Sequence, residues 1–539
     1  MKFKFSGLSV ALFFLGASLW AQNFQLSHSE INFQTRNETK TDSLSFTINN
    51  VKNKTISIRL SIPFRVFSSQ PFRLKDSLIV LPPNGTKQVW VYCRVVHNIS
   101  QSAHLLVFCE DTTLPAQNEI IKLQVQGRYT KSYYSQTENL TEEALKAALK
   151  ARIGQGYNSL SYDAARGVMY GNLDNKNDSV TCVYTLRKAK FNTTAGATSN
   201  NFNCEHTFPQ GFFSQNLPMR SDMHHLYSTD DGANNSRGNL PFGVATAPFV
   251  QPTVNAPSKN GGGKYEPQDG HKGNCARAMM YFVLRYQDYA NFFAPQEQIL
   301  RTWHKTYQPG PADTLRNAKI FAQQNNRNPF VDYPQFADRI KNLISPSVSD
   351  SSTLWRQSQN ALRIKNNFPS QALSVSVWNE GNRRIFVRNI RFALNQYIFL
   401  NGSEQNFTLG FNDAKVLRFA SSDPNEEYFS DTLILETSDP AQPVVRIPVD
   451  VSSPLAVEKK QRESILLYPN PAENEITIRI PESEIETEIQ VSNAEGKLLI
   501  IRQIQRNHEA LSLKDLGPGL YIVTVRTGLA TERFKVVKH

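Results

Sequence analysis

The sequence predicts a multidomain chain: a central α+β domain between two β-sandwich modules, followed by a small C-terminal β-sandwich. Three observations predict it. At 539 residues the chain is too long for one hydrophobic core. Apolar residues alternate with a period of two within 22–128, 353–455 and 463–539, the period of half-buried strands. Between 139 and 348 that alternation gives way to helical spacing and long Gly- and Asn-rich loops, and loops of that length in a compact domain usually carry function.

Composition narrows the partners. The formal net charge is +12, which favours polyanions. The N-terminus carries Lys2 and Lys4, then the apolar run Leu8 to Leu15, then small residues ending at Ala21. That pattern is a secretory signal peptide over 1–21, cut before Gln22. The run is too short to span a bilayer, and no later stretch is long enough, so no transmembrane segment is expected. Export permits disulfides among the five cysteines. Cys93 with Cys109, and Cys182 with Cys204, are the candidate pairs, and Cys275 reads as a buried free thiol. Connectivity cannot be read from sequence alone.

Taken in order, residues 22–128 read as strands. Leu44, Phe46 and Ile48 alternate, as do Ile56, Ile58 and Leu60, and later Leu123 and Val125, with a Pro82-Pro83-Asn84-Gly85 turn among them. Residues 129–138 are polar and Tyr-rich and read as a linker. A helix then starts at Thr141 with Glu142 and Glu143, continues on one face through Leu145, Leu149 and Ile153, and stops at Gly154. The loop Lys259 to Lys264, with three glycines, reads as a surface connector. Alternation returns at Leu373, Val375 and Val377, then at Val445, Ile447 and Val449. This second module echoes the first, since each has an Asp- and Pro-containing turn (Asp111 to Pro115, Thr437 to Pro440) before its last strand. Both resemble bacterial immunoglobulin-like modules.

The last unit opens on Tyr468-Pro469-Asn470-Pro471. It carries the turn Asn493-Ala494-Glu495-Gly496, then Gly517-Pro518-Gly519-Leu520 leading into Tyr521, Val523 and Val525, and it ends on Lys535-Val536-Val537-Lys538. The order of these motifs resembles the C-terminal sorting domain of the type IX secretion system. The resemblance implies the type IX secretion machinery as a partner. The protein would then be secreted, or attached to the cell surface, after export through the periplasm.

Chemistry concentrates between 203 and 239. Asn203-Cys204-Glu205-His206-Thr207-Phe208-Pro209 puts a carboxylate beside an imidazole. Asp222 to Tyr227 adds two histidines, and Asn234 to Asn239 adds an amide and a guanidinium. An unperturbed imidazole titrates near ~6.5, so His206 is suited to take a proton from water. Glu205 offers a hard anionic oxygen and Asn234 a neutral one. So sparse an oxygen site suits Mg²⁺, which keeps several waters and completes its shell with phosphate. Neighbouring residues on a regular strand face opposite ways. Glu205 and His206 therefore serve one site only if the strand bends or bulges, or if the ion lies at the strand's edge. Asp230 to Arg237 reads as a short helix stopped by Gly238, with Asn234 and Arg237 three apart on one face. Strand pair and then helix, with a base on the first strand and a ligand on the helix, is a ββα-metal arrangement. An alternative uses His224 and His225 with His206 as zinc ligands; otherwise one of that pair braces the hairpin.

Five motifs in order make the central domain similar to the endonuclease I family, secreted or periplasmic nucleases of the His-Me finger type. They are Glu205-His206-x-x-Pro209; Asp222-x-His224-x-Leu226 running to Asn234-x-x-Arg237-Gly238-Asn239-x-Pro241-Phe242-Gly243; Lys272-Gly273-x-x-Ala276-Arg277-Ala278; Trp303-His304; and Gln324-x-Asn326-Arg327-Asn328-Pro329-Phe330. Gly211 and Asn325 depart from the family pattern. The resemblance implies metal-dependent, largely sequence-independent hydrolysis of DNA, and often RNA, to 5′-phosphate ends. It puts Glu205 and Asn234 on the metal, Mg²⁺ first with Mn²⁺ or Ca²⁺ as substitutes, and makes His206 the general base. Arg237 is assigned a phosphate contact in catalysis. Arg237, Arg277 and Lys272 are the nucleic-acid contacts, and His224, Asn239 and Asn328 are structural braces. A competing reading, a surface adhesion protein with a degenerate central domain, fits the sandwiches and the tail but not an intact Glu205, His206 and Asn234.

Overall fold

The computed structural model describes residues 22–539 apart from 64–69, 112, 254, 349–351, 365–372, 401–404, 422–429, 452–464, 481–486, 505–507 and 528–530. The signal peptide over 1–21 lies outside the described residues. The chain forms two compact units, 1–453 and 454–539.

The first unit contains both large sandwiches, and their topology is the same. In the first, one sheet orders Phe24–Leu26, Asp42–Asn50, Thr86–Cys93 and Phe72–Leu74. The facing sheet orders Glu30–Asn37, Asn118–Arg128, Ser100–Cys109, Ile56–Ser61 and Leu78–Leu81. The second sandwich repeats this strand for strand, from Trp355–Gln357 to Val444–Val451. In each, the second and last strands pair in parallel while every other pair is antiparallel. Each also ends its third strand on a buried asparagine. Asn50 Nδ2 donates to the carbonyls of Lys54, Leu81 and Pro82, and Asn379 Nδ2 donates to those of Arg383, Leu409 and Gly410. The amide satisfies carbonyls that the corner would otherwise bury unpaired. The faint sequence echo is thus a repeated architecture.

The sandwiches touch. Asn118 N donates to Ser374 Oγ at 2.7 Å, and Arg418 pairs with Glu119 at 2.6 Å. The first sandwich also meets the central domain through Arg339, whose guanidinium donates to Asn98 Oδ1 and to the carbonyls of Thr137 and Leu140.

In the central domain the helix Glu142–Gly154 buries Leu145, Leu149 and Ile153, the face its four-residue spacing predicts. The stretch 129–138 is not a linker. Tyr129 and Tyr134 are buried in the central core, and Tyr129 stacks on Tyr333 with centroids 3.7 Å apart. Polar spacing hid the apolar faces of those rings. The stretch 259–264 forms most of a small hairpin, Lys259–Gly261 against Lys264–Glu266. Gly262 and Gly263 turn it at φ 59° and 71°, values that a Cβ disfavours. Helix Asp269–Arg285 is buried on nearly every side and forms the spine of the domain.

The second unit packs two sheets. One orders Leu466–Tyr468, Glu475–Arg479 and His508–Ser512. The other orders Leu498–Ile504, Thr487–Asn493, Gly519–Thr527 and Thr531–Lys538. Ile476, Ile478, Val491, Val523 and Val536 fill the space between them. No helix among the described residues is long and apolar enough to cross a membrane.

Candidate active site

Three elements hold the site: strand β1 (Phe202–His206), strand β2 (Leu226–Asp230) and helix α1 (Asp231–Arg237). The strands pair antiparallel without a register shift, from Phe202 opposite Asp230 to His206 opposite Leu226. No bulge brings Glu205 and His206 to one face. The two-stranded sheet instead leaves one edge of β1 free, and α1 lies along it. Asn234 Nδ2 donates to Cys204 O at 3.3 Å, while Arg237 donates to His206 O at 3.3 Å and to Thr207 O at 2.7 Å. Carbonyls two residues apart point to the same edge of a strand, and the three-residue spacing of Asn234 and Arg237 matches that repeat.

Glu205 lies on the α1 side. It is 1% exposed. Oε1 accepts from Tyr184 OH at 2.7 Å and sits 3.5 Å from Arg237 Nε, while Oε2 accepts no hydrogen bond among the described residues. Burial pushes the carboxyl up, and the Arg237 guanidinium opposes it. Asn234 also donates to Asn203 Oδ1 at 2.8 Å. Because its amide nitrogen must face the Cys204 carbonyl, Oδ1 is turned away and takes no donor among the described residues. The chain thus presents one carboxyl and one amide oxygen with no donor among the described residues, on side chains held beside the free edge of β1. These are hard donors, and two of them fit a cation that keeps its own water. Among the described residues no three His, Cys, Asp or Glu side chains group as metal ligands.

His206 projects to the other face of the strand. Nε2 lies 3.0 Å from Arg220 O, and a carbonyl can only accept, so Nε2 carries the proton and Nδ1 holds the lone pair. Nδ1 has no protein partner among the described residues. Burial, then the neighbouring His225 imidazole, push His206 down to about 3, with the Arg220 carbonyl opposing. The ring is therefore neutral at any physiological pH.

The Arg220 carbonyl is held by the segment Met219–His225, and Asp222 pins that segment. Asp222 is fully buried. Oδ2 accepts from Tyr281 OH, Arg285 Nη1 and Tyr286 OH, each at 2.8 Å, and Oδ1 accepts from Gln324 Nε2 at 2.9 Å. Tyr281, Arg285 and Gln324 come from helices distant in sequence, so the orientation of the His206 imidazole depends on the whole domain.

Several expected roles change. Arg237 is 1% exposed and pairs with Glu205 and three carbonyls, so in this structure it braces β1. Lys272 pairs with Glu266 and Asp269 at 2.8 Å each. Arg277, 2% exposed, donates to Tyr307 O and Asn274 Oδ1. Neither of these cations offers a free face to nucleic acid. Their spacing promised exposed charge, but the helix that carries them became the buried spine.

Among the braces, His224 is buried with Nε2 on Asn326 O, and Asn328 caps Phe330 N and donates to Arg277 O. Asn239 is exposed and makes no such contact among the described residues. For the zinc alternative, His206, His224 and His225 each give Nε2–H to a carbonyl, and among the described residues they do not group as three metal ligands. All five cysteines are free, so neither expected disulfide forms. Cys182 Sγ instead accepts from Asp230 N at 3.2 Å, and Cys204 Sγ rests against Met169 Sδ. Sequence reasoning missed Tyr184 and Arg220. The Met219-Arg220-Ser221 stretch directly before the Asp222 motif was the available signal for the last.

Residues 141–335 match the family model of Endonuclease I, and residues 466–539 match that of the secretion system C-terminal sorting domain. An extracellular ribonuclease of Bacillus subtilis (strain 168) is 29% identical over 231 residues, covering 39% of this chain and 78% of that protein. An extracellular ribonuclease of Bacillus amyloliquefaciens is 29% identical over 230 residues, with the same two shares. The chain carries an endonuclease I domain and a sorting domain, and it is a secreted nuclease.

Proposed function

From a secreted nuclease with an endonuclease I domain, we propose an endonuclease that hydrolyses phosphodiesters of DNA and RNA with little regard to sequence, leaving 5′-phosphate ends. We infer that β1, β2 and α1 act as a ββα-metal, His-Me finger unit and that type IX machinery exports the chain. The observation that carries this reading is His206: its Nε2 proton is fixed on Arg220 O, which aims a lone pair from Nδ1. RNA is included because both curated relatives are named as ribonucleases. Weak sequence preference fits a site whose recognition falls on the phosphate backbone.

In the mechanism, Nδ1 of His206 takes a proton from a water in line with the scissile phosphorus. The Arg220 carbonyl steadies the imidazolium that results, because Nε2–H already points at it. Glu205 Oε2 and Asn234 Oδ1 would hold Mg²⁺, or Mn²⁺ or Ca²⁺ in its place. When bound, such an ion supplies Lewis-acid stabilisation of charge on the phosphate and on the leaving 3′ oxygen. Tyr184 and Arg237 aim the carboxyl of Glu205 and favour its charged form against the burial that pushes it up.

Plasmid nicking and RNA cleavage test this, each run with Mg²⁺, with Zn²⁺ and with chelator, on wild type and H206A. The expected result is cutting of both polymers with Mg²⁺, none with chelator, and a loss of about 10²–10⁴-fold in H206A with the fold retained. Wild-type cutting by H206A removes His206 from the reaction. A folded protein that cuts neither polymer in any arm supports the adhesion reading instead.

A further inference from the structure

We propose that Arg220 and the ring of Tyr162 form an anion subsite beside His206 that takes a phosphodiester group of the nucleic-acid strand. The proposal rests on the reading of His206 as the base. Residues 141–345 contain eleven arginines. Ten have a hydrogen-bond or ion-pair partner, as Arg187 has Asp230, Arg316 has Asp174 and Arg285 has Asp222. The guanidinium of Arg220 has neither among the described residues. Its Nε is enclosed without a hydrogen-bond partner, and its guanidinium carbon lies 4.3 Å over the Tyr162 ring. That ring is in turn 5.5 Å from the imidazole of His206. One residue therefore does two things: its carbonyl sets the proton of the base, and its side chain brings an uncompensated positive charge alongside.

A half-buried cation without a counter-ion is costly, and an anion that completes it recovers that cost. The planar fork of a guanidinium matches two phosphate oxygens, and stacking on Tyr162 restricts the orientations it must give up on binding. The three arginine and lysine contacts expected from sequence are buried elsewhere, so Arg220, stacked on the ring next to the His206 imidazole, supplies the missing cation. Packing on Tyr162 alone would be the plainer role, and it makes a different prediction. A packing residue changes the rate without changing how the enzyme senses phosphate charge.

The test uses the full chain as wild type, R220A, R220Q, R220K and H206A, cutting plasmid and RNA with Mg²⁺ across a salt series, with inorganic phosphate as inhibitor. The expected result is a fall in kcat/KM of about 100-fold for R220A and R220Q, as for loss of one transition-state donor. In those two variants the slope of log KM against log salt shrinks by about 0.7–0.9, the value of one phosphate contact. Free phosphate inhibits wild type at least tenfold more tightly than R220A or R220Q, and R220K recovers part of each effect because it keeps the charge without the fork. Should R220A not fold, R220Q against R220K carries the same comparison. Unchanged kcat/KM overturns the subsite, as does lost kcat/KM with an unchanged salt slope and equal phosphate inhibition. If H206A is dead while R220A cuts normally, the subsite alone fails. If H206A cuts normally, the reading of the base fails.

Discussion

Replacing Asp222 by asparagine asks how much the buried charge that pins the Met219–His225 segment contributes to stability. The carboxylate accepts from Tyr281 OH, Arg285 Nη1, Tyr286 OH, Gln324 Nε2 and His224 N, and all of these are donors. An amide in its place must turn its NH₂ toward at least one of them, whichever way it is rotated. Arg285, itself buried, loses its counter-charge. Breaking one side of a buried pair costs about 3–5 kcal/mol, which lowers the melting temperature of a domain of this size by roughly 10 °C. Calorimetry of the full chain reads this as a shift of the central domain's transition, since a multidomain protein melts in more than one step.

The pH dependence has a definite sign. Burial tends to raise the Asp222 carboxyl, but Arg285, with His224 and His225, overrides it and holds the group well below the usual carboxylate range. A depressed folded value contributes stability that is present above the unfolded value of about 3.9 and lost as pH falls toward the folded one. The gap between wild type and D222N is therefore full above about pH 4 and closes below it. A loss under about 1 kcal/mol, or a gap that stays constant from pH 7 to pH 2, would refute this account.

Two further outcomes follow from burial. His224 and His304 are held down to about 4 and His271 to about 3, in each case chiefly by burial. The unfolded chain therefore binds protons first, and stability falls as pH drops below about 6.5, by about 2 kcal/mol per histidine at pH 5. A denaturation midpoint that stays flat from pH 7 to pH 5 contradicts this. Because all five cysteines are free, the denatured and unreduced chain should titrate five thiols; three would reveal a disulfide and overturn the free-thiol assignment.

Much of the fold could be read locally. Leu145, Leu149 and Ile153 declare their helix, and Phe46 with Ile48 their strand, because burial of one face imposes a period on nearby residues. The short helix Asp231–Arg237, stopped by Gly238, was legible for the same reason. Charge was not. Arg237, Lys272 and Arg277 look from sequence like contacts for a polyanion, whereas in the fold they answer Glu205, Glu266, Asp269 and backbone carbonyls. A cation's role depends on what lies within a few ångströms of its tip, and those neighbours come from far along the chain.

Sequence by itself determined the succession of strand and helix periods, the adjacency of a carboxylate and an imidazole at 205 and 206, and the sorting motifs of the tail. All of these are properties of short stretches. Only the tertiary structure decided that the two sandwiches share one topology. It alone set α1 along the free edge of β1, turned the Nε2–H of His206 onto Arg220 O, and left the Arg220 guanidinium without a hydrogen-bond or ion-pair partner among the described residues. These depend on contacts between distant segments, which form only when the whole core closes.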